Sequence, residues 1–304
     1  MAGYLYLYMP KEKFQIQEKY QGHKSGIYQL ALYDDRYFLS CAGDGYIVRW
    51  DLFSQNTDGK VIAQVDGKIF SMALLPGNLL VAGDMLGDIY WIDLKGNTVL
   101  RRVSLHKKGI FSIIMLNNFV YSAGGDGVLV KWDPNTFFPL ESIQLTTGSL
   151  RRIFPLSDYN ILVGAGDSHI HLVNLERMQS RIYITEAHTP SVFAIALSDK
   201  NIYTGGRDAL IGKYGLSGEL DNRISAHWFT VNDLVYVSEQ KLLISASRDK
   251  RIRIWDGDTL KLHQSIDVQS GGHVNSVNAL LYIPESKLLL SASDDRTISK
   301  FILN

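Results

Sequence analysis

The segment SASRDKRIRIWD at Ser245–Asp256 decides the fold, because related segments recur along the chain. All but one of these segments have an aspartate four residues after their first residue, and each continues in an apolar alternating run that ends near tryptophan or its substitute. The other six are SCAGDGYIVRWD (Ser40–Asp51), AGDMLGDIYWID (Ala82–Asp93), SAGGDGVLVKWD (Ser122–Asp133), VGAGDSHIHLVN (Val163–Asn174), TGGRDALIGKYG (Thr204–Gly215) and SASDDRTISKF (Ser291–Phe301).

The spacing of these segments gives the repeat length. Asp126, Asp167, Asp208 and Asp249 follow one another at intervals of 41 residues, and Asp295 follows after 46. Short alternating apolar runs fill each unit, separated by Gly, Asp and Asn, which is the pattern of strands rather than helices. Four short strands in about 41 residues are typical of one propeller blade. Seven such units predict a seven-bladed β-propeller.

Paired dipeptides in phase with the repeat identify a family. Gly22-His23 and Gly272-His273 precede their aspartates by about twenty residues, and Trp50-Asp51, Trp132-Asp133 and Trp255-Asp256 close three units. The chain thereby resembles the WD-repeat (WD40) family over about residues 14–304. The resemblance implies one all-β domain, a seven-bladed propeller of four-stranded antiparallel blades. We place the repeat units at approximately 21–64, 65–104, 105–147, 148–186, 187–225, 226–268 and 269–304, the last completed by residues 14–20.

The ends of the chain fit this arrangement. The resemblance implies that an N-terminal strand, residues 14–20, closes the ring by completing the last blade. The apolar segment YLYLY at Tyr4–Tyr8 remains outside the repeats. Because a bare apolar strand is an aggregation hazard, we expect it to be covered. It either extends the closure as an edge strand or contacts another chain.

Composition excludes several function classes. Lys+Arg and Asp+Glu both number 31, so net charge gives no general attraction to nucleic acid or anionic membranes. The single cysteine, Cys41, cannot form an intrachain disulfide. The N-terminus does not resemble a signal peptide, and no apolar run approaches the roughly 18 residues of a membrane span. We expect a cytoplasmic, membrane-free protein that is monomeric.

A recurring set of His, Ser or Thr, Asp and Trp invites a hydrolase interpretation, but an active site occurs once, whereas this set recurs. The resemblance implies a structural network in which Asp bonds His, His bonds Ser or Thr, and the hydroxyl accepts from Trp. Its expected members are His23, Ser40, Asp44, Trp50, His106, Ser122, Asp126, Trp132, His188, Thr204, Asp208, Tyr214, His227, Ser245, Asp249, Trp255, His273, Ser291 and Asp295.

The divergent units are expected to be looser. The aligned residues of the second unit, Ala82, Leu86 and Ile92, cannot form the network, and the fourth keeps only Asp167. In the fifth, Tyr214 can still donate through its hydroxyl. His169 and His171 share one strand face and could begin a metal site. No carboxylate or cysteine is in phase with them, so we expect no metal and no cofactor.

The resemblance places binding residues at the narrow mouth of the channel, at two kinds of position. The residue five after the histidine, or after the position aligned with it, is Tyr28, Phe70, Phe111, Arg151, Phe193, Asn232 or Asn278. The residue before the repeat aspartate is Gly43, Met85, Gly125, Gly166, Arg207, Arg248 or Asp294. The four aromatic residues either pack between blades or form a ring of anchors, since aromatic and Arg side chains dominate interface hot spots.

We therefore expect a non-enzymatic scaffold that binds a protein or peptide on the narrow face. Two alternatives stay open at this point. One is a propeller that binds nucleic acid or a nucleotide, for which aromatic stacking would serve. The other is a metal-dependent propeller enzyme, which would need Asp, Glu or His ligands near the channel.

Overall fold

Seven four-stranded antiparallel sheets make up residues 14–304, the part of the chain that this computed structural model describes. Each sheet is one blade of a propeller, which confirms the predicted fold class. In every blade the first strand is innermost and the fourth is outermost. The segment Tyr4–Tyr8 lies outside the described residues.

The strands are as follows. The first in the chain, β1, covers Phe14–Gln21. Blades 1 to 3 contain β2 (Ile27–Leu32), β3 (Tyr37–Ala42), β4 (Tyr46–Asp51), β5 (Lys60–Gln64), β6 (Ile69–Leu75), β7 (Leu79–Asp84), β8 (Asp88–Asp93), β9 (Thr98–Ser104), β10 (Ile110–Leu116), β11 (Phe119–Gly124), β12 (Val128–Trp132) and β13 (Pro139–Gln144). Blades 4 to 6 contain β14 (Leu150–Ser157), β15 (Asn160–Ala165), β16 (Ile170–Asn174), β17 (Gln179–Ile184), β18 (Val192–Leu197), β19 (Asn201–Gly206), β20 (Leu210–Gly215), β21 (Leu220–Ser225), β22 (Val231–Val237), β23 (Leu242–Ser247), β24 (Ile252–Asp256) and β25 (Leu262–Ile266). Blade 7 contains β26 (Val277–Ile283), β27 (Leu288–Ser293), β28 (Thr297–Leu303) and β1, and two 3-10 turns cover Val268–Ser270 and Pro284–Ser286.

The ring closes through β1. This strand pairs antiparallel with β28, from Phe14 opposite Leu303 to Gln21 opposite Thr297. Adjacent innermost strands pack against one another all round the ring, including β26 against β2. The predicted closure by an N-terminal strand is therefore confirmed. No helix within residues 14–304 is long and apolar enough to cross a membrane.

The apolar core lies between blades rather than at the centre. Seven clusters of buried side chains each join two neighbouring blades. Between blades 7 and 1, for example, Tyr20, Phe38 and Trp50 pack with Leu290 and Ile298. Each such side chain stabilises the fold by roughly 1.5–3 kcal/mol when fully buried. The innermost strands are thereby held at fixed positions around the channel.

The chain passes from one blade to the next at one end of the channel, which we call the mouth end. The turns between the second and third strands lie at the same end, because strands alternate in direction. Gly45 in the blade 1 turn has φ +80°, and a Cβ there would lie 2.2 Å from the Val65 carbonyl oxygen. Only glycine fits this close approach of turn and loop.

Candidate functional site

Blades 1, 3 and 6 each contain a complete four-residue network at the mouth end. In blade 6, His227 Nδ1 lies 2.9 Å from Asp249 Oδ2, and Nε2 lies 2.8 Å from Ser245 Oγ. The Trp255 indole N–H donates to the same serine oxygen at 2.9 Å. A neutral imidazole with its proton on Nδ1 satisfies all of these bonds. Equivalent contacts join His23, Ser40, Asp44 and Trp50, and His106, Ser122, Asp126 and Trp132.

Burial sets the protonation of these networks. It lowers the pKa of His23, His106 and His227, and this outweighs the opposite effect of the neighbouring aspartates. Burial alone would raise the pKa of the Asp249 carboxyl, but hydrogen bonds from His227 and from two backbone N–H groups together lower it. In blades 3 and 6 the network is therefore stable as neutral imidazole beside carboxylate.

Blade 5 differs at its last member. His188 lies 2.9 Å from Asp208 and 2.8 Å from the Thr204 hydroxyl. The hydroxyl of Tyr214, however, donates to the Ala187 carbonyl oxygen at 3.3 Å and makes no hydrogen bond to Thr204. The phenol of Tyr214 extends further from the backbone than the indole N–H of a tryptophan does. Its hydroxyl therefore lies beyond the Thr204 hydroxyl. Tyr214 thus fastens the loop before β18 instead of completing the network.

Blade 7 ends its network one residue earlier. His273 lies 3.0 Å from Asp295 and 2.8 Å from Ser291 Oγ. Phe301 occupies the tryptophan position and has no donor to offer. The Thr297 hydroxyl donates to Asp295 at 2.7 Å, so the carboxylate binds its own third strand as well as His273.

Blade 2 holds its turn with a different carboxylate. Asp84 is fully buried and accepts from the backbone N–H groups of Leu86, Gly87 and Asp88, each at 2.9 Å. The Tyr90 hydroxyl donates to its other oxygen at 3.1 Å. Sequence alignment missed this residue because it stands two positions before the expected aspartate. Its signal in the sequence is the pair Gly83-Asp84 within AGDMLGD.

Blade 4 corrects the expectation for its two histidines. His171 Nε2 lies 2.9 Å from Asp167 Oδ2, so the statement that no carboxylate is in phase with them was wrong. The strand geometry puts the side chain at i+4 back over the turn. His169 Nδ1 accepts from the Glu186 backbone N–H at 3.0 Å. Within residues 14–304, no group of three or more His, Cys, Asp and Glu side chains is arranged to hold a metal ion.

Substrates cannot reach the hydroxyl groups of the networks. Every one belongs to a residue with no exposed surface, namely Ser40, Ser122, Thr204, Ser245 and Ser291. A nucleophile must touch the reacting atom of its substrate, which these hydroxyls cannot do. The repeated sets therefore fit a structural role.

A bulge in each innermost strand positions one residue at the mouth. In blade 1, Ile27 pairs with Ala42 and Gln29 pairs with Cys41, so Tyr28 is left out of the ladder. A bulge bends the strand and re-aims the extra side chain. The same skip occurs in all seven innermost strands. The displaced residues are Tyr28, Phe70, Phe111, Arg151, Phe193, Asn232 and Asn278.

Five of the displaced residues form a continuous arc, which we call the aromatic arc. The rings of Tyr28 and Phe70 meet edge to face at 4.8 Å, and Phe70 stacks on Phe111 at 5.6 Å. The Arg151 guanidinium carbon lies 4.3 Å from the Phe111 ring centre and 4.9 Å from that of Phe193. All five side chains are partly exposed and line one cavity of about 210 Å³. The rings thus pack on each other and still face the mouth.

Arg151 is a cation without a counter-ion. Within residues 14–304 its side chain makes no ion pair, and its Nε atom is buried without a hydrogen-bond partner. Burial, and after it the charge of Arg207, lower the pKa of the Arg151 guanidinium. Arg207 and Arg248 are exposed at the same end. Neither makes a side-chain hydrogen bond or ion pair in the described part of the chain.

Glycines leave room for the arc. A Cβ on Gly125 would lie 2.9 Å from the Phe111 ring, and one on Gly43 would lie 3.3 Å from the Tyr28 ring. In blade 2 the equivalent residue is Met85, which is exposed. The ring positions therefore depend on small neighbours in blades 1 and 3.

The opposite side of the mouth is polar and internally bonded. The Asn232 amide donates to the Val277 carbonyl oxygen at 2.8 Å. The Asn278 amide donates to the Ile27 carbonyl oxygen at 3.0 Å and to Asp294 at 2.8 Å. These contacts fasten blade 6 to blade 7 and blade 7 to blade 1. Asn232, Asn278 and Asp294 were predicted as binding residues, and the structure gives all three a role within the protein.

An ion pair crosses the channel below the arc. Arg152 of blade 4 reaches Asp233 of blade 6, with 3.2 Å between Nη2 and Oδ1. Burial raises the pKa of the Asp233 carboxyl, against the effect of the Arg152 charge and of the N–H groups of Leu280 and Leu234. Both residues line a channel cavity of about 250 Å³. Sequence analysis missed this pair, although charged residues inside apolar innermost strands were a visible signal.

Comparisons with known proteins agree with this architecture. The family model described as "WD domain, G-beta repeat" matches residues 14–51, 218–256 and 264–301. The WD40 β-propeller domain of Doa1 superposes with a TM-score of 0.83 at 18% identity, covering 95% of this chain and 96% of that one. Three repeats of the chain thus match the WD40 family model, and its fold is that of a WD40-repeat β-propeller.

Curated relatives share the repeat at low identity. The target of rapamycin complex subunit wat1 of Schizosaccharomyces pombe is 27% identical over 48% of this chain and 48% of its own. The WD repeat-containing protein ATCSA-1 of Arabidopsis thaliana is 25% identical over 80% of this chain and 55% of its own. The nuclear distribution protein PAC1 of Coccidioides posadasii is 26% identical over 47% and 35%. The chain thus spans about half or less of the length of these relatives.

Proposed function

We propose that the protein is a non-catalytic scaffold that binds a partner protein through the aromatic arc and Arg151. The observation that carries this proposal is the unpaired Arg151, held between Phe111 and Phe193 at the channel mouth. A partly buried guanidinium that lacks an acceptor gains a favourable contact when a partner supplies one. The relative wat1, named as a subunit of a complex, supports a role in protein assembly.

The arc also has the form of an interface centre. Tyr28, Phe70, Phe111 and Phe193 are rigid, partly exposed rings whose positions are fixed by bulges and by contacts with one another. Pre-organised aromatic side chains lose little entropy on binding and are frequent hot spots. Exposed Arg207 borders the arc, close enough to Arg151 to lower the pKa of its guanidinium, as a charged rim would.

Quantitative affinity purification with the double variant Phe111→Ala,Phe193→Ala tests the proposal. We expect the variant to lose partners that the wild type retains, since truncating a central anchor weakens binding by about 2 kcal/mol or more. Leu220→Ala is the matched control, because Leu220 is exposed on the outermost strand of blade 5. Undiminished recovery of every partner by a folded double variant would refute the proposal.

A further inference from the structure

Five blades share a loop geometry that leaves one side chain free. In each of them the residue directly after the histidine donates its backbone N–H to the repeat aspartate. The backbone therefore performs the structural task, and the side chain points away from the network. In blades 1, 3 and 5 this residue is Lys24, Lys107 or Thr189.

Blades 6 and 7 place apolar side chains at this same position. Trp228 is 73% exposed and its neighbour Phe229 is 56% exposed, while Val274 of blade 7 is 58% exposed. The fold does not require these residues, because polar ones occupy the position in the other three blades. Contiguous exposed apolar surface is a feature of interaction sites, and two neighbouring aromatic side chains contribute to it here.

One cation lies against Trp228, and two more lie on the same turn. The Arg251 guanidinium carbon lies 4.9 Å from the Trp228 ring centre, and Arg248 and Lys250 are exposed on the same turn. Within residues 14–304 none of these three side chains forms an ion pair. The intervening Asp249 cannot neutralise them at the surface, because its side chain is 1% exposed and bonded to His227.

We propose that Trp228, Phe229, Arg248 and Arg251 form a second docking surface, for a protein segment that carries carboxylates beside large apolar side chains. The apolar groups would cover the two rings, and the carboxylates would pair with the arginines, for which bidentate geometry is favourable. This surface lies on the loop and turn of blade 6, outside the aromatic arc. Its test is therefore independent of the proposed function.

Selection from a phage-displayed random peptide library tests the proposal. The full chain is the bait, and Trp228→Lys,Phe229→Lys is the depletion bait, since it copies Lys107-Lys108 of the equivalent loop in blade 3. We expect wild type to enrich peptides with Asp or Glu next to Leu, Ile, Phe or Trp. Equal enrichment on both baits, or enriched peptides without acidic residues, would overturn the proposal.

Fluorescence gives a direct binding signal for the enriched peptide. Trp228 is the one exposed tryptophan among the five in the chain, all of which lie in the described residues. Its emission should move to shorter wavelength and become protected from acrylamide as the peptide binds. Arg248→Glu,Arg251→Glu should weaken affinity by about tenfold or more, whereas Lys107→Ala,Lys108→Ala should leave it unchanged.

A single-stranded DNA oligonucleotide serves as the competing probe. Wild type should not bind it at an ionic strength of about 0.15 M, where nonspecific contacts with few cations are weak. DNA binding that is lost in Trp228→Lys,Phe229→Lys would overturn the proposal in favour of a nucleic-acid surface. As the folding control, each variant should have the melting temperature of the wild type, so that binding is compared between folded proteins.

Discussion

Blade 6 and blade 2 stabilise the same turn in different ways. In blade 6, Asp249 binds its own turn and also His227, which belongs to the loop that enters the blade. In blade 2, Asp84 binds three N–H groups of its own turn and Tyr90 of its own third strand. The blade 6 network thus joins loop to turn, whereas the blade 2 network is confined to the turn and the strand that follows it.

The difference separates what the propeller requires from what the motif adds. Both blades need a carboxylate that satisfies the buried N–H groups of the turn, since unpaired buried donors are costly. The histidine, serine and tryptophan add a connection between loop and sheet. That connection fixes the backbone of Trp228 while leaving its side chain free. The loop can then present side chains without contributing them to the core.

The largest effect is expected where the carboxylate is most enclosed. Asp84→Ala leaves three backbone N–H groups and the Tyr90 hydroxyl without their acceptor. Each orphaned donor costs about 1–3 kcal/mol, so we expect a loss of roughly 3–5 kcal/mol after partial relaxation. Urea unfolding measures it, with the exposed Asp66→Ala as control. A loss below that of Asp249→Ala would reverse the comparison.

Asp249→Ala should have the next largest effect. It removes the acceptor of His227 and of the N–H groups of Trp228 and Arg251, one of which is exposed to water. We expect a loss of about 2–3 kcal/mol in urea unfolding. Asp258→Ala is the control, because that residue is exposed on the same blade. Melting of Asp249→Ala within a degree of wild type would show that the network does not stabilise blade 6.

Exchanging the hydroxyl sharpens the comparison further. Ala82→Ser places a hydroxyl in blade 2 where Ser245 stands in blade 6, but no histidine is present to receive it. A buried hydroxyl without a partner destabilises by about 1–2 kcal/mol, and Ser245→Ala should lose a similar amount by orphaning the Trp255 indole. Chemical denaturation of the two single variants gives both values. A stabilised Ala82→Ser protein would contradict this reasoning.

Mild acid should produce the smallest effect in any one blade, and that effect should differ between blades. The lowered pKa of His23, His106 and His227 means that the unfolded chain binds protons more readily than the folded one below pH 6.5. Stability therefore falls as pH drops from 7 towards 5.5, by at most about 1.4 kcal/mol per histidine per pH unit. Hydrogen exchange should show early loss of protection in blades 1, 3 and 6. Equal loss in blade 2, which has no such histidine, would argue against this cause.

The repeat explains why the architecture was predictable and some of the site was not. The repeat length, the strand pattern and the closure follow from residues that recur, such as Asp126 and Trp132. A unit whose own sequence is ambiguous can therefore be aligned with the clearer units. The bulge positions also recur, which is why Tyr28, Phe111 and Phe193 were found by counting from the histidine. Asp84, Asp233 and His171 occur once each. Their partners are set by distances across the channel or along one strand, which a single sequence does not reveal.

The pairing of β1 with β28 has a consequence in time. During synthesis β1 is made before the other strands of the ring, yet its partner β28 is made after all of them. Until then six blades can form in order while the ring remains open between β2 and β26. Contacts between such distant parts of a chain form slowly. Until they form, β1 is unpaired and can aggregate with other chains. The ring can therefore close only in a chain that has been translated through β28.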